Sequence, residues 1–244
     1  MRTGIQTSNP LPSWRTRIRH LPTAKMKPYY WEIAGQARND NQGVKWHPNK
    51  NTTIMEEAFE QEVERTVAAL KAGKTILYPT DTIWGVGCDA TNSRACDRVY
   101  EVKQRPASKS LIVLVDTAER LKDYVVNVPA IAYDLIAHST SPLSVVYAQS
   151  KNLAKNISSD RSVCIRVVNN EFCKEVIRRL GKPITSTSAN LSGQPTAMTY
   201  NDISEEIKEK VDYVVQLYHD SFCKPKSSTI IKLNEDNTFD ILRQ

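Results

Sequence analysis

The spacing of apolar residues predicts regular structure from about residue 55 onward. A helix is predicted over 59–70, where apolar residues recur every three or four positions, and Gly73 stands where that helix would end. The apolar run TILYP at 75–79 predicts a buried strand. The same rules predict further helices over 92–103, 129–138, 170–180 and 202–211. They predict further strands over 111–115, 142–148, 162–168 and 183–186, and three late strands in the segments DYVVQL, STIIKL and FDILR.

This interleaving of helices and strands predicts an α/β domain. The strand runs are apolar throughout, as in LIVLV at 111–115, which indicates a sheet that is covered on both faces. With 244 residues and 40% hydrophobic residues, the chain has the length for one such domain and an appendage.

Residues 1–54 differ from the rest and are predicted to be a poorly ordered basic extension of a domain at 55–244. They show no sustained period and hold 9 Lys+Arg against 2 Asp+Glu, a net charge of +7. The remaining 24 cations and 25 anions give the domain a net charge of −1, so any basic surface on it must be local. Two interpretations of the extension stay open: an RNA-binding arm, or a start codon assigned too early, with Met55 as the true first residue.

Several protein classes lack support in the sequence. No apolar run has the length of a membrane span, and no signal-peptide pattern opens the chain. The five cysteines form no CxxC pair, and this pattern predicts reduced thiols in the cytoplasm. No Cys/His cluster predicts a protein-bound metal. Gly73-Lys74-Thr75 is not a P-loop, because Ala68 stands where the motif needs glycine and a helix precedes the tripeptide.

Three polar stretches remain as candidates for a ligand site. YPTDTIWGVGCDA at 78–90 has hydroxyls and two glycines after a strand, and KQRPASKS at 103–110 has three cations after a helix. TSTSANLSG at 185–193 offers neutral donors and acceptors. Each alone is typical of an ordinary polar turn, but cations and hydroxyls without an obvious base suit a site that positions anions.

Together and in this order, the three stretches resemble the YrdC/YciO family, which includes the threonylcarbamoyl-AMP synthases. Its KxR motif corresponds to Lys103-Gln104-Arg105 and its SxN motif to Ser188-Ala189-Asn190. PLS at 142–144, IRV at 165–167 and SST at 227–229 also fall in register. The resemblance implies a twisted mixed sheet with flanking helices and a concave cationic cavity.

The resemblance also implies a short-form L-threonylcarbamoyladenylate synthase. This nucleotidyltransferase forms threonylcarbamoyl-AMP and pyrophosphate from L-threonine, bicarbonate and ATP, with Mg²⁺ carried by ATP. A downstream threonylcarbamoyl transferase complex then modifies tRNA to threonylcarbamoyladenosine, and tRNA itself is a further candidate partner.

Site roles follow from the resemblance, position by position. Lys103 and Arg105 are the expected catalytic residues. The expected ATP-binding residues are Lys103, Arg105, Lys109, Ser144, Ser186, Ser188 and Asn190. The expected threonine-binding residues are Thr82, Arg166 and Ser228. The family's usual PGPLT segment is Thr140-Ser141-Pro142-Leu143-Ser144 in this chain, which leaves the hydroxyl in place but changes the turn before it.

Two alternatives stay open at this point. One is a module that binds double-stranded RNA or tRNA without chemistry of its own, although the domain's net charge of −1 argues against it. The other is a YciO-type paralogue, an enzyme of the same fold that acts elsewhere in RNA metabolism.

Overall fold

The structure is a computed structural model that describes residues 50–220, 227–234 and 238–244, with side chains from Ile54 onward. The predicted extension therefore lies almost entirely outside the described residues, as does Cys223. The first described helix, α1, spans Lys50–Lys71, so the predicted boundary at Met55 falls inside it. The division of the chain at that point stays a prediction.

Helices and strands alternate through the described chain. The helices are α1, α2 (Ser93–Val102), α3 (Leu121–Tyr124), α4 (Ala130–His138), α5 (Glu171–Leu180) and α6 (Glu205–Lys210), with 3₁₀ turns at Ala118–Arg120 and Tyr200–Asp202. The strands are β1 (Ile76–Tyr78), β2 (Gly85–Gly87), β3 (Ile112–Val115), β4 (Leu143–Tyr147), β5 (Val163–Val167), β6 (Ile184–Ser188), β7 (Tyr213–Val214), β8 (Thr229–Leu233) and β9 (Phe239–Arg243).

Helix ends follow the chemistry of their terminal residues. The Asn92 side chain accepts from the Ala95 N–H at the start of α2, and Asn170 accepts from Cys173 in the same way at the start of α5. Gly181 closes α5 in the left-handed region. The predicted helix starts and stops at these positions are confirmed.

Strands β1 to β9 form one mixed sheet in the order β7-β1-β2-β6-β3-β5-β4-β8-β9 among the described residues. Strand β6 is antiparallel to both β2 and β3, while β3 and β5 run parallel. The described part of the chain has no helix that is both long and apolar enough to cross a bilayer.

Apolar side chains cover both sides of this sheet, as the sequence predicts. One core includes Val113, Val145 and Ile165 together with residues of α2. The other packs residues of α1 and α5 against Leu114 and Ile184. We call these the α2 face and the α1/α5 face. Because neighbouring residues of a strand point in opposite directions, the register assigns each site residue to one face.

Three predictions about local structure need correction. The glycine-containing stretch after Tyr78, typical of a turn, includes the buried strand β2. Strand β6 continues to Ser188 rather than ending at residue 186, because its backbone pairs with β2 at Gly85. The predicted helix over 202–211 is shorter, since α6 spans only Glu205–Lys210.

Candidate active site

The α1/α5 face gathers the serines and the arginine that were predicted from separate parts of the chain. Ser186 lies opposite Ile112 on β3, and two residues further along β3, Leu114 lies opposite Arg166 on β5. Arg166 in turn lies opposite Ser144 on β4. Because residues two apart share a face, Ser186, Arg166 and Ser144 lie on one face of β6, β5 and β4, with Ile112 and Leu114 of β3 between the first two, and we call this set the polar row. All three side chains are buried.

Two more predicted residues join this row. Ser188 is two residues beyond Ser186 on β6 and shares its face. The hydroxyls of Ser144 and Ser228 are 2.8 Å apart, so the turn before β8 contributes to the same surface. Five predicted site residues from distant parts of the chain thus lie on one face of the sheet.

Arg243 is a residue of this surface that the sequence analysis missed. Its Nη2 donates to the carbonyl oxygen of Ser228 at 2.9 Å and to the hydroxyl of the same serine at 3.2 Å. Burial lowers the pKa of Arg243, and repulsion from Arg166 acts in the same direction. Arg243 therefore brings a guanidinium group to the pair of serine hydroxyls, and the charge of Arg166 is near enough to act on it, an arrangement suited to an anionic ligand.

Arg166 has one charged partner, Asp81, which lies between the two threonines of the TDT stretch. Asp81 Oδ1 is 3.1 Å from Arg166 Nη2, and the two side chains are only 7% and 4% exposed. The atoms are close but not aligned, and Arg166 Nε and Nη2 make no hydrogen bond to any described residue. Buried N–H groups of this kind are available to a carboxylate or phosphate oxygen.

The loop that carries Asp81 is fixed by its own hydroxyls. Thr80 Oγ1 donates to the carbonyl of Ile83 at 2.7 Å and accepts from the Thr82 N–H at 3.0 Å. The hydroxyls of Thr80 and Thr82 are 2.9 Å apart, and both side chains are buried. Asp81 Oδ2 accepts from the Asn169 N–H at 3.0 Å, which ties the loop to the chain after β5. Thr82 therefore lies close to the Asp81–Arg166 pair, and its contact with threonine stays a prediction.

The KxR and SxN motifs meet through Lys103. Its ammonium group donates to the backbone carbonyls of Ser188 and Asn190, and its own carbonyl accepts from the Ser192 N–H at 3.0 Å. Lys103 is 1% exposed, so it is buried rather than part of an ordinary polar turn. Burial lowers the pKa of Lys103 to about 7, and repulsion from Arg105 acts in the same direction.

Arg105 and Lys109 lie in the turn after α2. Arg105 is half-buried and donates from Nε to the Lys109 carbonyl at 3.1 Å and from Nη2 to the Ser110 carbonyl at 2.9 Å. It thereby closes the 105–110 turn on itself, and burial lowers its pKa. Lys109 is exposed. The structure thus separates the three cations into a buried one, a half-buried one and an exposed one.

Asn190 and Ser186 complete the set of predicted nucleotide ligands. The Asn190 amide donates to the carbonyls of Leu191 and Gln194, whereas its buried Oδ1 has no donor among the described residues. That oxygen is an acceptor site for a ligand N–H or O–H. Ser186 lies next to β2, because a Cβ on Gly85 would come within 3.1 Å of its hydroxyl.

Other predicted features have a structural role or remain untested. The described cysteines, Cys88, Cys96, Cys164 and Cys173, are buried free thiols, as predicted. A cavity of about 440 Å³ lies on the α2 face between α4 and the β8–β9 hairpin, and contains no predicted site residue. In the described ranges, no group of three or more His, Cys, Asp or Glu side chains is placed to hold a metal ion.

The chain matches a known protein family over more than half of its length. The Sua5_yciO_yrdC family model, described as "Telomere recombination", matches residues 68–244. The chain belongs to the Sua5/YciO/YrdC family. The resemblance inferred from KQR, SAN and the TDT stretch is therefore confirmed.

Curated members of the Sua5/YciO/YrdC family include enzymes named for one reaction. Threonylcarbamoyl-AMP synthase of Vibrio campbellii is 31% identical over 185 residues, which are 74% of this chain and 97% of that protein. The enzyme of the same name from Pseudoalteromonas translucida is 32% identical over 157 residues, 63% of this chain and 84% of that protein. The chain thus spans nearly the whole length of relatives that are enzymes by name.

Solved structures of this family share the fold. P. abyssi Sua5 complexed with L-threonine superposes with a TM-score of 0.69 at 27% identity, over 75% of this chain and 54% of that one. The present chain thus spans about half the length of that protein. E. coli YciO superposes with a TM-score of 0.66 at 22% identity, over 76% of this chain and 89% of that one. The prediction of a twisted mixed sheet with flanking helices is confirmed, whereas the concave cationic cavity stays a prediction.

Proposed function

We propose that this protein is an L-threonylcarbamoyladenylate synthase, a nucleotidyltransferase that supplies the activated group for tRNA threonylcarbamoyladenosine. The observation that carries the proposal is the contact of Lys103 with the carbonyls of Ser188 and Asn190, which brings the KxR and SxN motifs into one site. The names of the curated relatives and the threonine-bound Sua5 relative support the same reaction.

The reaction joins two anions, so the site must supply positive charge. The amine of L-threonine and CO₂ from bicarbonate form a carbamate, and dehydration of bicarbonate releases water. A carbamate oxygen attacks the α-phosphorus of ATP, the bond from that phosphorus to the bridging oxygen breaks, and pyrophosphate leaves. Because the nucleophile is already an anion, the step needs positioning and electrostatic stabilisation more than a general base.

The proposed triphosphate ligands are Lys103, Arg105 and Lys109. A lysine ammonium has three protons, and two of those of Lys103 point at backbone carbonyls, which leaves one for a phosphate oxygen. Arg105 keeps the N–H groups of Nη1 in addition to those that close its turn. Mg²⁺ would arrive on the phosphates of ATP, where it is usually held by few protein groups.

The polar row on the α1/α5 face supplies the remaining proposed contacts. Ser186, Ser188 and the free Oδ1 of Asn190 would hold the nucleotide. Arg166, whose Nε and Nη2 make no hydrogen bond to a described residue, would bind the threonine carboxylate, with Thr82 close by. Ser144 and Ser228 offer hydroxyls next to Arg243.

Mass spectrometry of the products tests the proposal. Purified protein with ATP, Mg²⁺, L-threonine and bicarbonate should form threonylcarbamoyl-AMP and pyrophosphate, and omission of any one substrate should abolish the product. Absence of product, together with salt-sensitive retention of RNA, would favour the RNA-binding alternative.

A second experiment separates the synthase from a YciO-type paralogue. A strain without its own synthase should regain threonylcarbamoyladenosine in tRNA when this chain is expressed in its cytoplasm. Synthesis of the adenylate in vitro without restoration of the modified nucleoside would indicate that the downstream transferase complex does not receive the product from this protein.

A further inference from the structure

The KxR motif is the C-terminal cap of a helix. Helix α2 ends at Val102, and Lys103 is its C-cap residue. The Gln104 N–H donates to the Glu101 carbonyl at 3.0 Å, and the Arg105 N–H donates to the Tyr100 carbonyl at 2.9 Å. These two bonds define a Schellman motif, in which the residue after the C-cap is left-handed. Gln104 has a φ of 49°, as the motif requires.

Glutamine is an unusual residue for this position. Helix α1 ends in the same motif, with Gly73 at the corresponding position and a φ of 74°. Glycine adopts this conformation without steric cost, whereas a residue with a Cβ pays a penalty. The cap alone would therefore favour glycine at position 104. A side chain held in an unfavourable conformation beside a functional motif is a reason to ask what it contacts.

The Gln104 side chain reaches across to the segment that follows the SxN motif. Its Nε2 donates to Glu206 Oε1 on α6 at 2.7 Å. Lys103 is attached instead to the SxN motif, through Ser188 and Asn190, and to Ser192 just after it. Arg105, the next residue, donates instead within its own turn. Gln104 thus lies between a residue fixed to the SxN motif and a residue that donates within the 105–110 turn, and its own side chain is held by α6.

We propose that Gln104 is a positioning residue, which through its contact with Glu206 sets the direction in which Arg105 leaves the helix and faces the triphosphate. This role rests on the proposed function. The side chain acts at a distance from the substrate, because its amide donates to Glu206. Loss of the contact lets the cap and Arg105 move relative to α6, and a displacement of about 1 Å at a charged ligand reduces productive binding.

Substitutions of Gln104 and of Glu206, the two residues of the contact, test the positioning role. Q104G keeps the left-handed cap and removes the side chain, and E206A removes the acceptor. Each should raise the KM for ATP about 3- to 10-fold, the range for losing one ordinary side-chain hydrogen bond, and leave the KM for threonine within about 2-fold. Because both variants remove one interaction, the double variant should show no larger change than the larger single change.

Two variants of α6 serve as controls. Lys210 Nζ also donates to Glu206 Oε1, at 2.6 Å, so K210A shows the effect of losing that pair alone. Glu205, the residue before Glu206, pairs with Lys208. E205A therefore removes an exposed carboxylate of the same helix. Both controls should keep the wild-type KM for ATP.

The outcomes separate this role from the proposed function. Unchanged KM for ATP in Q104G and E206A, with an active wild-type protein, overturns the positioning role alone. Additive effects in the double variant, or equal changes in the KM for ATP and for threonine, also overturn it. Wild-type protein that releases no pyrophosphate overturns both proposals. If Q104G does not fold, E206A tests the same contact from the other side.

Discussion

Asp81 Oδ1 lies 3.1 Å from Arg166 Nη2, and both side chains are almost fully buried. Removal of one partner from such a pair leaves an uncompensated charge in the interior, which typically costs about 3–5 kcal/mol. We therefore expect D81N to lower the free energy of unfolding by about that amount, as measured by urea denaturation. The exposed Lys174–Glu171 pair provides the control, since K174A should cost less than about 1 kcal/mol. Equal losses in the two variants would contradict the electrostatic importance of the buried pair.

We expect the amine of Lys103 to take up a proton when ATP binds. Its pKa in the free protein is about 7, so at pH 8.5 most of the amine is neutral. A triphosphate beside it favours the ammonium form and raises the pKa, so the complex binds a proton that the free protein lacks. Calorimetry of ATP binding in buffers of different ionisation enthalpy should show uptake at pH 8.5 and little at pH 6, where Lys103 is already charged. Persistence of the full uptake in K103M would exclude Lys103 as its source.

Arg243 should contribute to ATP affinity, although no motif pointed to it. Its charge interacts with that of Arg166 and it donates to the Ser228 hydroxyl, so R243M removes a cation beside the polar row. We expect the dissociation constant of ATP to rise at least about 10-fold, the lower range for a charge-assisted hydrogen bond. The control is R178M, because Arg178 on α5 is exposed and pairs with Glu175. The same affinity for ATP in both variants would show that Arg243 does not contribute to ATP binding.

Gly87 should tolerate no side chain. A Cβ there would lie 2.0 Å from the Thr185 carbonyl oxygen, so G87A must move β2 away from β6. We expect a loss of more than about 3 kcal/mol in unfolding free energy, as for severe overpacking. At Gly193 a Cβ would meet nothing within 4 Å, so G193A should cost only about 1 kcal/mol for its φ of 86°. A thermal-unfolding comparison checks this difference, and similar midpoints would contradict it.

Local features of the fold were accessible from the sequence because they depend on nearby residues. Asn92 caps α2 through Ala95, and Gly73 ends α1, each within a few positions of the helix it terminates. Periodic apolar residues likewise predicted which helices and strands form. Strand β2 was not predicted because its two glycines suggest a turn. At Gly87, the missing side chain instead leaves room for the backbone of β6.

Features of the site that depend on distant residues were not accessible in the same way. The burial of Lys103 is one example, because only the position of the Ser188 and Asn190 carbonyls explains it. The partner of Arg166 could not be chosen among the acidic residues without the sheet register. Arg243 had one signal, a cation in the otherwise strand-like segment FDILR, but its contact with Ser228 depends on the pairing of β8 with β9.

The contact between the hydroxyls of Ser144 and Ser228 joins residues 84 positions apart, and Ser228 precedes the last two described strands. During synthesis, β4 leaves the ribosome long before β8 and β9 exist, so the polar row stays incomplete on a growing chain. A nascent polypeptide would therefore carry Arg166 and Ser144 without the Ser228 hydroxyl and the Arg243 guanidinium group. The order in which the chain is made thus delays assembly of the polar row until Ser228 and Arg243 have been synthesised.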